Sequence, residues 1–268
     1  MRLCYPVSIM NGQTRIYALI SEKGGVGKTT SAVNLGHALA RLEQRVLAVD
    51  LDPQASLTHW IGTDTPPSQN MADVLRTPVS IEAAIGPSRA KGVDLLYGTN
   101  DTAVAGIQVQ ISHANPAMSL SRAIQRIVDR YDTILLDCPP SLGLLYSSAL
   151  IAATHILIPV NSQAAAVHGA SQVYVAIVDL QNQGAITRSP HVDTLLTCYS
   201  SGLRLARAVR DEMQNTGTLL ETTIRTSTQI AEAYGARQSI YDYAPAAPVA
   251  GDYERLAREL LEGATTHV

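Results

Sequence analysis

The stretch ISEKGGVGKTT, residues 20–30, gathers Gly24, Gly25, Val26, Gly27, Lys28, Thr29 and Thr30 into one short run. Glycine-rich runs that end in GK[ST] cradle phosphate with successive backbone N–H groups and the positive end of the helix that follows. In that chemistry Lys28 would reach the β and γ oxygens, and the Thr29 hydroxyl would ligate Mg²⁺. The run holds a second lysine, Lys23, although the whole chain has three lysines against seventeen arginines. From the residues alone, Lys23 fits a second phosphate contact in cis or a solvent-exposed loop charge.

Carboxylates follow in two further motifs. VLAVDLDPQAS carries Asp50 and Asp52, two residues apart and so on the same side of a strand. ILLDCPPSLG carries Asp137 before a rigid Pro139-Pro140 turn. An acid at the end of such a strand is placed to hold the Mg²⁺ shell, directly or through water, and a neighbouring one to orient an attacking water. Asp50 and Asp137 are the candidate metal acids, Asp137 through water, and Asp52 the candidate for water. A turn-capping role before Pro53 is the competing reading for Asp52.

These motifs need strands to end on. Apolar runs at 16–21, 45–52, 133–138, 155–160 and 192–199 alternate with helical patterns, among them 29–44 and 119–131, and GVDLLYG at 92–98 fits another strand. Strands alternating with helices of about 10–15 residues predict an α/β fold, a doubly wound, mostly parallel sheet with helices on both faces. Residues 1–14 show no period and read as an arm, and 15–268 as one domain without a proline- or glycine-rich linker.

Composition narrows the class. The chain is 46% hydrophobic and lacks Phe, so its core must be aliphatic. A formal charge of −3 confines any nucleic-acid contact to a local patch. Cys4, Cys138 and Cys198 have no metal spacing and read as reduced thiols, the last two packed in the core. The absence of a signal pattern or a long apolar run points to the cytoplasm.

KGGVGKTT, VDLDPQAS and LLDCPPSLG together resemble the deviant Walker A, A′ and B motifs of the ParA/MinD ATPases. ILIPV at 156–160, IRTSTQIAEA at 224–233 and YDYAPAAPVAGDYERLAREL at 241–260 resemble the ParA branch. The resemblance implies a P-loop NTPase that uses ATP and Mg²⁺ and closes as a homodimer around nucleotide. It implies that Lys23 contacts phosphate held by the other subunit, as an arginine finger does in trans. It further implies nonspecific DNA binding, a nucleoid location and a ParB-type centromere-binding partner. LRLARAVRDEM sets Arg204, Arg207 and Arg210 nearly on one helix face, and Arg225 and Arg237 flank TSTQIAEA; these five are the candidate DNA contacts. The acidic C-terminal helix does not suit an anionic membrane. NSQAAAVHG at 161–169 departs from common ParA patterns, and the chain's start is too short for a helix-turn-helix domain. An ATP-dependent ligase or synthetase of related fold is the competing class, although no substrate constellation stands out.

Overall fold

The computed structural model describes residues 14–161, 166–200, 202–215 and 217–263; of 166–170 and Val79 only the backbone is described. The first half comprises β1 Arg15–Leu19, α1 Lys28–Arg41, β2 Val46–Asp50, α2 Ser56–Ile61, α3 Met71–Arg76, β3 Ile85–Pro87, β4 Val93–Leu96, α4 Asp101–Ser112 and α5 Ser119–Ile124. The second comprises β5 Thr133–Asp137, α6 Leu144–Ala152, β6 His155–Asn161, α7 Ala166–Asn182, β7 His191–Tyr199, α8 Arg204–Gln214, β8 Leu219–Arg225, α9 Thr228–Gly235, α10 Ile240–Tyr243 and α11 Pro248–Gly263.

The strands form one eight-stranded sheet in the order β3-β4-β2-β5-β1-β6-β7-β8. All pairings are parallel except β3 with β4. β1 alternates its side chains between two cores, Ile16 and Ala18 into one, Tyr17 and Leu19 into the other. The first core packs under α3 to α8, the second under α1, α2, α10 and α11, so both faces of the sheet are covered. Each fully buried Leu or Ile in them contributes roughly 1.5–3 kcal/mol. The expected architecture is therefore the observed one.

Strand order also decides where chemistry can occur. β5 lies between β1 and β2, while β6 takes the opposite side of β1. A crevice opens outside the carboxyl ends of the strands at such a reversal. Register brings Leu19 beside Asp137 and Asp50 beside Asp137 there.

Some expectations need correction. The helix expected over 119–131 ends at Ile124, where hydrogen bonds tighten to i−3 at Arg126 and Ile127 and a 3₁₀ turn follows at Val128–Arg130. That tightening keeps both Ile124 and Ile127 buried while the chain turns back into β5. Two strands add to the expected set, the antiparallel β3 and the edge strand β8. Cys138 is buried as expected, but Cys198 is exposed at the end of β7, with φ of 49°. Residues 1–13 of the proposed arm, with Cys4, lie outside the described residues. Thr14 is anchored, its hydroxyl donating to the carbonyls of Val128 and Tyr131.

Edge strand β8 is covered by carboxylates of α11 seven residues apart. Glu259 accepts from the backbone N–H groups of Glu221 and Thr222, and Asp252 from that of Arg225. Filling those donors protects the edge against pairing with another chain. Asp252, 1% exposed, also takes Arg225 Nε and Nη2 at 2.7 and 2.8 Å, and Arg255. Burial alone would raise its pKa, but the Arg225 bonds outweigh burial and hold it below the ordinary carboxylate value. Its contribution is therefore present at neutral pH and lost as pH falls below about 4. We expect Asp252→Asn to destabilise the fold by about 2 kcal/mol at pH 7, with the difference shrinking on acidification, measured by urea unfolding at several pH values.

Candidate functional site

β1 delivers the glycine loop to the crevice. Gly25 and Gly27 take φ of 72° and 89°, a region that L side chains rarely adopt, and α1 begins directly after Gly27. Among the described residues, apart from its chain neighbours, a Cβ at Gly24 or Gly25 would meet no atom within 4 Å, so the loop's outer surface is open to a close-lying ligand. The Thr197 hydroxyl, at the end of β7, lies 2.7 Å from the Val26 carbonyl and holds the loop from below.

The two lysines differ sharply. Lys28 is buried and its ammonium donates to the carbonyls of Ser21 and Lys23 at 3.1 and 3.3 Å. Burial lowers its pKa, opposed by the charge of Asp137. Lys23 is half-buried in the same loop. Thr30 begins the second layer, its carbonyl accepting from Asn34 Nδ2.

Asp50 and Asp137 end neighbouring strands in register and both are buried. Thr29 Oγ1 donates to Asp137 Oδ2 at 2.7 Å. The Thr58 N–H, in α2, donates to Asp50 Oδ2 at 2.7 Å. A Cβ on Gly98 would lie 2.7–2.9 Å from the Asp50 side chain, so only glycine lets that carboxyl sit where it does. The remaining oxygens, Asp50 Oδ1 and Asp137 Oδ1, are buried without a hydrogen-bond partner among the described residues. Two orphaned carboxylate oxygens beside a threonine hydroxyl are a hard donor set that fits Mg²⁺. Burial, opposed by the Thr58 bonds, pushes Asp50 up to about 7. Burial and the charge of Asp50 push Asp137 up to about 8.

Asp52 is half-buried just beyond the pair, its Oδ1 accepting from Gln54 N–H at 2.9 Å. It caps the turn into α2, and its carboxylate lies in the same electrostatic field as Lys28 and Asp137.

Of the five arginines, Arg204 and Arg207 are exposed and Arg210 half-exposed on α8. Arg210 stacks over Tyr199 with 6.0 Å to the ring centroid, and Tyr199 is the register partner of Arg225. Arg225 thus adjoins the α8 patch, although its fork is engaged by Asp252. Arg237 is elsewhere: it donates to the carbonyls of His59 and Gly62 at the end of α2. The structure brings the two lysines, Thr29 and three acids together, sets four arginines at the β7–β8 end, and gives the fifth a different neighbourhood.

The motifs do not single out Thr58, Gly98 or Thr197, nor Glu22, Tyr146 and Asn161, each with a buried oxygen that has no partner among the described residues. Thr197 was the most readable of these, a polar residue ending an apolar strand as Asp50 and Asp137 do. Glu22 stands where GxxxxGK[ST] has its first glycine. His155 is a structural residue, packed on Tyr17 at 4.7 Å. The side chain of His168 and residues 162–165 of the divergent NSQAAAVHG segment lie outside what is described. Among the described residues no helix is long and apolar enough to cross a membrane.

A family model described as an AAA domain matches residues 14–189. The sporulation initiation inhibitor Soj of Bacillus subtilis is 32% identical over 92% of this chain and 98% of its own length. Among solved structures, the Mycobacterium smegmatis cobyrinic acid a,c-diamide synthase with ADP and magnesium superposes with a TM-score of 0.78, 29% identity and 95% and 97% coverage. The Pyrococcus furiosus cell division ATPase MinD gives 0.76, 26%, and 92% and 98%.

Raised carboxyl pKa values mean that the folded, ligand-free chain binds protons the unfolded chain has released between about pH 4 and 8. Its stability should fall as pH rises through that window. Asp137→Asn is expected to flatten the fall and to abolish Mg²⁺-dependent nucleotide binding. Thermal unfolding across pH and a fluorescent-nucleotide titration with and without Mg²⁺ check the two parts.

Proposed function

The chain belongs to the ParA/MinD family of ATPases, and from that premise we propose that it is a dimerising switch of the DNA-partition kind. The observation that carries this reading is the division between its two loop lysines. Lys28 is buried within its own loop, whereas Lys23 in the same loop is more exposed; in this reading Lys23 meets the nucleotide held by a facing subunit. ATP phosphates would rest on the backbone of residues 24–30, with Lys28 neutralising them. Thr29, Asp50 and Asp137 would hold Mg²⁺, the last through water; the ion supplies charge neutralisation at the phosphates. Asp52 orients the attacking water, and Lys23 adds its positive charge only when two loaded subunits meet.

In this reading the ATP-bound homodimer binds DNA without sequence preference, and a ParB-type partner triggers hydrolysis and release. The cargo is a plasmid or chromosome, and the protein resides in the cytoplasm on the nucleoid. The α8 patch, Arg204, Arg207 and Arg210 with Arg225 beside it, supports the DNA contact. Arg237 contributes least, since its fork is taken up by α2. The same engine positioning a protein cargo, such as a microcompartment or chemosensory cluster, would keep the nucleotide cycle and change only the partner. The likeness to the Mycobacterium smegmatis synthase favours a second reading, an ATP-dependent synthase that binds no DNA.

Two measurements test this. Lys23→Ala should bind ATP yet fail to hydrolyse it, while Asp52→Ala keeps ATP and a lasting dimer. Mixing Lys23→Ala subunits with Asp52→Ala subunits, which keep only a residual rate but retain Lys23, should restore turnover at the Lys23→Ala subunit's own nucleotide. No recovery in demonstrated heterodimers would reject the trans role. For DNA, log K against log salt should fall linearly, and Arg207→Ala, removed from both subunits, should flatten the slope by roughly two units. Absence of DNA binding by the ATP-loaded wild type at low salt would reject the partition reading in favour of the synthase.

A further inference from the structure

α2 is only six residues long, yet its Thr58 N–H holds Asp50 and the turn at its start carries Asp52. Ala55, just before it, takes φ of 51°, so the segment is not held by local preference alone. Its far end is gripped by two guanidinium groups. Arg237 donates Nε to the His59 carbonyl at 3.0 Å and Nη2 to the Gly62 carbonyl at 2.6 Å. Arg89, before β4, donates Nε to that same Gly62 carbonyl at 3.0 Å. Asp64 Oδ1 ties the forks together, accepting from Arg89 Nη2 at 2.7 Å and Arg237 Nη1 at 3.3 Å. Two cations at the C-terminal end of α2, one of them on the His59 carbonyl of its last turn, also match the helix dipole.

Arg237 reaches α2 from a rigid mount. It ends α9 in the left-handed region, φ 55°, and the next residue, Gln238, accepts Trp60 Nε1–H at its carbonyl, 2.8 Å. Tyr234 of α9 meets the Trp60 ring edge-on at 5.0 Å. Beyond it, α10 is fastened to the phosphate-loop helix: Asn34 Oδ1 accepts from Ile240 N–H at 2.8 Å, and His37 Nδ1 lies 2.6 Å from Ser239 Oγ. The junction 233–243 therefore braces α1, which carries Lys28 and Thr29, against α2, which steers the acids.

We propose that Arg237 is a positioning residue for ATP turnover: from the α9–α10 junction its fork fixes α2, and through α2 the placement of Asp52 relative to the phosphate loop. This rests on the reading of Asp52 as the water-orienting acid. Arg237 touches no phosphate or water of the reaction. Losing it moves the carboxylate and leaves the cradle in place.

The test uses the full chain, ATP and Mg²⁺, and Trp60, the single tryptophan of the sequence, as an internal probe. Arg237→Gly keeps the left-handed turn and deletes the fork. We expect kcat to fall about tenfold while KM changes less than about threefold, because misplacement costs the transition state and not ground-state binding. Trp60 emission should shift to the red. Arg237→Lys keeps the charge but cannot bond two carbonyls and a carboxylate at once, and should give the same split; it also serves should the glycine variant not fold. In an Asp52→Ala background, Arg237→Gly should cause no further loss of the residual rate. Wild-type kcat in both Arg237 variants, or an equal loss with and without Asp52, overturns the proposal. Wild-type turnover by Asp52→Ala alone would instead reject the role of Asp52, so the two failures are distinguishable.

Discussion

Asp50 and Asp137 end adjacent parallel strands in register, both out of reach of water, and two carboxylates so placed cannot both be charged without positive charge beside them. The chain supplies part of the compensation, one hydroxyl from Thr29 and one N–H from Thr58. Among the described residues, one oxygen on each acid is left unanswered. That deficit gives the crevice its appetite for a hard cation and for the anion that brings it. A fully satisfied pair would make a quieter core and a poorer site.

The rest of the molecule can be understood as support for that pair. The aliphatic sheet fixes the register, since a slip of one residue would turn every side chain of a strand to the wrong face. α1 projects Thr29 toward Asp137, Gly98 leaves room for Asp50, and α2 donates to it. Thr197 reaches the loop from the end of β7, so its position depends on strands far along the chain. Lys28 is drawn toward the acids and kept from water, which leaves Lys23 as the loop lysine nearer the surface.

The parts legible in the sequence are those whose signal is local. Glycine loop, paired acids and strand–helix alternation each occupy one short window, and the crevice follows once the sheet is parallel. The edge strand β8 was not legible because LLETTIR mixes apolar, acidic and hydroxyl residues and is completed by carboxylates 27 to 38 residues later. Arg237 was unreadable for a stronger reason. Two of its three acceptors are main-chain carbonyls 175 and 178 residues away, and a carbonyl leaves no mark in a sequence. Arg225 presents the same face to sequence reading whether it meets phosphate or Asp252. Only its buried partner tells the two apart.

If the carboxylate pair and the two lysines form a site that is completed by a second subunit, mass should follow nucleotide state. Sedimentation velocity of the wild-type chain with Mg²⁺ and either ADP or a non-hydrolysable ATP analogue measures this directly. The account predicts a monomer with ADP and a dimer with the analogue, and a monomer again when Mg²⁺ is chelated. One unchanged mass in all three conditions would contradict it.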